Sequence, residues 1–143
     1  MNKIYKPKID KLYYMIFIPT LLLVIASCVL SLAAPIALII TLSIAITVIL
    51  LMISPLLGYA ELREDTLFIR YGFYIKREIP YSKIRAIKTE RKWYSESMIS
   101  LKYAMDHLII KYNSFENTTI SLENEAEFID ELLSKSSLII REK

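Results

Sequence analysis

No charged side chain occurs between Lys11 and Glu61. A helix advances about 1.5 Å per residue, so about 20 apolar residues cross the hydrocarbon of a bilayer, and this tract is long enough to cross twice. Its hydrophobicity runs all round the helix instead of along one stripe, unlike a surface helix of a soluble protein. Pro35 lacks an amide hydrogen and disfavours helix at the residue before it. The tract therefore divides at Ser31-Leu32-Ala33-Ala34-Pro35, which predicts a transmembrane hairpin over 12–57 with runs at 12–32 and 36–57.

Charge sets the expected topology. Lys3, Lys6, Lys8 and Lys11 precede the hairpin, Arg63, Arg70, Lys76 and Arg77 follow it, and the connecting turn is uncharged. Both flanks should stay inside, giving a multi-pass cell-membrane protein with a basic cytoplasmic segment at 1–11 and a cytoplasmic domain at 58–143. Tyr13, Tyr14 and Tyr59 fall where aromatic rings anchor at the headgroups. A competing reading takes the first run as a signal peptide cleaved near Ser31-Leu32-Ala33, but the run is long for that role. Even then the second run would stop transfer and leave the domain inside.

From Glu61 onward acidic and basic residues balance, so the formal net charge of +3 comes from the N-terminal segment and gives no reason to expect nucleic acid. Cys28 is the only cysteine and lies within the apolar tract, which excludes a disulfide framework or a Cys-based zinc site in one chain. The only glycines, Gly58 and Gly72, form no phosphate loop. Asp106 and the sole histidine, His107, are neighbours on an expected strand and so point to opposite faces. No catalytic residue, metal ligand or cofactor is expected. Asn117-Thr118-Thr119 has the form of a glycosylation sequon, reads as internal by topology, and is taken as a turn.

Short β-rich segments recur at 59–63, 66–71, 75–79, 85–92, 107–112 and 118–121, with turn signals at Glu64-Asp65, Gly72, Pro80 and Asn113-Ser114-Phe115-Glu116-Asn117. The period then changes. Phe128, Ile129, Leu132 and Leu133 share one side of a helix with an acidic start, capped by Ser121 or Asn124. The tail Leu138-Ile139-Ile140 extends that helix or adds an edge strand.

From Tyr59 to about Leu133 the chain resembles the small bacterial pleckstrin-homology-like domains carried behind one or two membrane helices, the group that includes the sublancin immunity protein. The resemblance rests on Leu67-Phe68-Ile69-Arg70-Tyr71-Gly72 and Ile79-Pro80-Tyr81-Ser82-Lys83-Ile84. Later pieces are Ser100-Leu101, Leu108-Ile109-Ile110-Lys111-Tyr112, and Ile120-Ser121-Leu122 before Glu127-Phe128-Ile129. It implies an α+β fold, a pleckstrin-homology-like antiparallel β-barrel plugged by a C-terminal helix, and a binding role. One described member gives immunity to a bacteriocin peptide, which is the specific role the resemblance implies.

The candidate surface is basic and aromatic: Lys83, Arg85, Lys88, Arg91 and Lys92, followed by Trp93 and Tyr94, with Lys76 and Arg77 upstream. Near an anionic leaflet each such cation contributes about 1 kcal/mol, and a tryptophan fits the headgroup zone. Glu78 and Glu90 dilute the run, and alternation divides its charges between two faces. Ser95 to Tyr103 is the least regular stretch; Met98 and Ile99 in it, with Trp93 and Tyr94 beside it, either mark a second place for a partner or are tucked under the sheet. The expected activity is non-enzymatic binding of anionic lipid headgroups or a membrane protein partner. The alternative is an assembly subunit whose small residues, Ser27, Ser31, Ala33, Ala34, Ser43, Ala45 and Thr47, pack on partner helices.

Overall fold

The computed structural model describes residues 3–73, 75–95, 97 and 100–142; Met98 and Ile99 of the irregular stretch lie outside the described residues. In chain order the elements are β1 (Lys3–Tyr5), α1 (Lys11–Leu30), α2 (Pro35–Ile53), β2 (Tyr59–Leu62), β3 (Thr66–Arg70) and β4 (Lys76–Pro80). They continue as β5 (Ile84–Arg91), β6 (Ser100–Leu101), β7 (Asp106–Tyr112), β8 (Glu116–Ile120), α3 (Glu125–Lys135) and β9 (Ile140–Glu142).

Asp10 starts α1 by accepting a hydrogen bond from the Leu12 amide at 2.8 Å. The helix closes in a 3-10 turn at Ser31–Ala33, Ala34 is extended, and Pro35 opens α2 at the position where its missing N–H costs nothing. The Ser and Thr hydroxyls along both helices turn back to their own carbonyls, as Thr20 does to Ile16 and Thr47 to Ser43, which satisfies these donors without water. The helices are pinned at both ends, by Ser31 Oγ and Thr41 Oγ1 at 3.0 Å and by the Tyr13 hydroxyl donating to the Met52 carbonyl at 2.9 Å. Both are long and apolar enough to cross a membrane. Ala45 is their only buried residue, and Leu30 and Ile36 stand 84% and 77% exposed. Such a surface is compatible with membrane anchoring.

The strands form two sheets. The first has the order β1-β2-β3-β4 and the second β6-β8-β7-β5-β9. Alternation places Leu67 and Ile69 of β3 inside and Thr66, Phe68 and Arg70 outside. The inner faces of both sheets pack on Phe128, Ile129 and Leu132 of α3, with Leu133 at the margin. The architecture is thus α+β: two apolar helices, a pleckstrin-homology-like β-domain and a C-terminal helix. Its barrel is open, because the sheets do not join through backbone ladders. Side chains bridge one side of the seam, Tyr71 to Thr118 and Arg77 to Tyr112.

Several details differ from the sequence reading. β9 resolves the tail as an edge strand and pairs parallel to β5, as β6 does to β8, so the second sheet is not purely antiparallel. Asn117-Thr118-Thr119, taken as a turn, lies inside β8 with both threonines fully buried; β-branched side chains favour the pleated, packed surface. Asn124 occupies the N-cap of α3 without a side-chain hydrogen bond.

The largest difference concerns the N-terminal segment. β1 pairs antiparallel with β2, Tyr5 opposite Ala60, although the hairpin lies between them in sequence. Tyr5 is 4% exposed, its ring meets Phe128 edge-on at 5.1 Å, and its hydroxyl donates to Glu131 at 2.7 Å. The Lys8 amide donates to the Ser121 carbonyl and the Glu123 amide to the Lys6 carbonyl, so the same segment also ties the second sheet. Consequently the hairpin is an insertion into the β-domain.

Gly72 packs directly against Ser54 at the foot of α2. Its φ is +112°, and a Cβ there would lie 2.9 Å from the Ser54 carbonyl oxygen. Gly72→Ala should therefore cost more than about 1 kcal/mol and loosen the domain from α2, read as faster proteolysis of the 71–76 turn in the full chain.

Candidate functional site

β5 advances about 23 Å from Ile84 to Arg91, and this length separates the expected basic surface into two groups. Exposed Lys83 and Arg85 lie at the end away from the hairpin, beyond a bulge between Ile84 and Ala86. Lys92, Trp93 and Tyr94 lie at the end where the helices leave. Between them the charges are paired. Glu90 holds Lys88 at 2.6 Å and Lys92 at 2.7 Å on one face, while Arg91 approaches Asp106 at 3.7 Å on the other.

The two ammonium groups hold the Glu90 carboxyl down at about 2, well below its ordinary value of 4.5. A carboxyl lower in the folded chain than in the unfolded one contributes stability that is full above about 4.5 and is lost as pH falls through about 2. Glu90→Gln should accordingly flatten the acid limb of a stability titration across that window.

The hairpin end is built by a relay of contacts. Asp10, which caps α1, also accepts from the Met105 amide at 2.8 Å, and its own amide donates to the Tyr103 carbonyl at 3.2 Å. The Tyr103 ring meets Tyr13 of α1 edge-on at 6.0 Å, and burial pushes its hydroxyl up to about 12. Lys102 lines a crevice with Ile16 and Met52 of the two helices, and its ammonium donates to the carbonyls of Lys92 and Tyr94. Burial, then the neighbouring Lys92, lower the Lys102 ammonium below its ordinary value. One lysine thus ties the Trp93-Tyr94 turn to the helices. The two rings meet edge-on at 5.7 Å and Trp93 remains 73% exposed.

Across the domain the β3–β4 turn touches the same end, with the Phe73 amide donating to Ser54 Oγ at 3.1 Å. Sequence reasoning missed Phe73, Lys102 and Tyr103. The only signal for them was an aromatic residue following Gly72 in a turn and a Lys-Tyr pair in an irregular loop. Lys83 and Arg85 do not join this end, and Arg91 reaches it only through its contact with Asp106.

Asp106 and His107 separate as strand geometry requires. Asp106 faces Lys8 at 3.6 Å and Arg91, whereas His107 is fully buried and its Nδ1–H donates to the Met105 carbonyl at 3.0 Å. Among the described residues no three metal-ligating side chains converge.

No curated protein and no solved structure matches the chain. A family model described as Bacterial PH domain matches residues 58–136, which is the β-domain from the foot of α2 through α3. With more than half of its length covered by that match, the chain belongs to the bacterial PH domain family.

Proposed function

We propose that this protein is a membrane-anchored, non-enzymatic binding module that holds a bacterial PH domain directly on the cytoplasmic face of the cell membrane. One observation carries the reading: the domain starts before the hairpin and resumes after it, so both feet of the hairpin are fixed in one fold. No free linker separates domain from helices, because Gly72-Phe73 rests on Ser54 and Tyr103 on Tyr13. The basic residues on both flanks of the hairpin support an inside location for this side. Cleavage after Ala33 would strip β1 from the sheet and remove Tyr5 from the core, which opposes the signal-peptide reading. Lys92, Trp93 and Tyr94 then lie at headgroup level, where an indole ring is stable. Immunity to a membrane-active bacteriocin is the specific version of this role, and a toxin challenge of cells with and without the gene tests it.

Trp93 is the sole tryptophan, so its emission reports the contact in the unaltered full chain. Lipids brominated near the headgroup should quench Trp93 strongly, and lipids brominated at the chain end weakly. If neither quenches, the turn does not touch lipid, and a protein partner becomes the better occupant of this surface.

A further inference from the structure

The outer face of the first sheet carries a second feature at the same end. Tyr59, Arg70 and Lys76 stand opposite one another across β2, β3 and β4 in the row nearest the hairpin. The next row, about 7 Å farther away, holds Glu61, Phe68 and Glu78. Arg63 binds both of those acids at 3.2 Å, so they do not neutralise the row above. Lys76 has no ion pair or hydrogen bond among the described residues, and Arg70 makes one contact there, from Nε to the Gly72 carbonyl at 2.8 Å.

That contact connects the cations to an apolar crevice. The peptide between Gly72 and Phe73 accepts from Arg70 at its oxygen and donates to Ser54 Oγ at its nitrogen. Ser54, together with Thr47, Leu50, Leu51 and Phe73, lines a crevice of about 320 Å³. From Ser54 to Thr47 the crevice follows α2 for about 10 Å into the apolar segment. A cationic head at one end and an apolar channel running along a helix fit the chemistry of an anionic phospholipid.

We propose that this crevice holds one acyl chain of an anionic phospholipid whose phosphate lies on Arg70 and Lys76. The proposal rests on the membrane placement above and adds a headgroup preference to it. An arginine provides two parallel donors to a phosphate, and the lysine beside it adds a point charge.

The test uses the full chain in bilayer nanodiscs, with Phe73→Trp in a Trp93→Phe background, so that the introduced indole is the only one. Phosphatidylcholine bilayers receive an equal minor fraction of chain-brominated phosphatidylglycerol or chain-brominated phosphatidylcholine. Quenching by the phosphatidylglycerol should exceed that by the phosphatidylcholine on the order of tenfold in apparent local concentration. The excess should disappear in Arg70→Gln/Lys76→Gln. Equal quenching by the two lipids overturns the headgroup site while leaving the turn at the membrane. Quenching by neither overturns the membrane placement itself. A second readout retains Phe73: phosphatidylglycerol carried through purification by the unaltered chain should be lost from the double variant, and equal retention overturns the proposal.

Discussion

Tyr5→Ala is expected to cost about 3 to 5 kcal/mol, a large share of the stability of so small a domain. Tyr5 precedes the hairpin in sequence, yet its side chain is 4% exposed and part of the core on which both sheets close. Truncation leaves a cavity beside Phe128 and removes the hydroxyl that donates to Glu131. β1 has only three residues, and Tyr5 is its one buried side chain, so the apolar part of its attachment rests on this ring. Urea-dependent pulse proteolysis of the full chain in detergent reads the effect. A midpoint unchanged by Tyr5→Ala would mean that the N-terminal segment does not complete the sheet.

Phe128→Ala should cost a similar amount, about 3 to 5 kcal/mol. Phe128 is the largest fully buried side chain among the described residues and packs, with Ile129 and Leu132, in the core between α3 and the sheets. Because it meets Tyr5 edge-on, the two losses should not add. A double-mutant cycle should give a coupling of about 0.5 to 1.5 kcal/mol. Full additivity would place the two rings apart, and a harmless Phe128→Ala would contradict the packing of α3 on the sheets.

The elements legible in the sequence were those with a strong local period. Leu67 and Ile69 alternate with outward residues, Phe128, Ile129 and Leu132 recur at helical spacing, and Pro35 interrupts an otherwise unbroken apolar tract. β1 was not legible, because three residues carry no period and their partner, β2, lies across the whole hairpin. The same physics limited the site. Lys83 through Lys92 look like one basic run in sequence, but an extended strand carries its ends far apart, and Glu90 and Asp106 take up the charges between. Conversely, Phe73, Lys102 and Trp93 are scattered in sequence and share the hairpin end of the domain because the β3–β4 turn rests on Ser54 and Lys102, beside Ile16 and Met52, holds the Trp93-Tyr94 turn.

The proposed arrangement, a β-domain seated inside the cell with the hairpin inserted between its first two strands, is tested most directly by cysteine accessibility. In a Cys28→Ser background, single cysteines are placed at three exposed or half-exposed positions: Lys6→Cys in the N-terminal segment, Ala34→Cys between the helices, and Ser137→Cys after α3. A membrane-impermeant maleimide should label Ala34→Cys on intact cells, and Lys6→Cys and Ser137→Cys only after lysis. Labelling of Ser137→Cys on intact cells, or of Lys6→Cys and Ser137→Cys from opposite sides, would contradict the account.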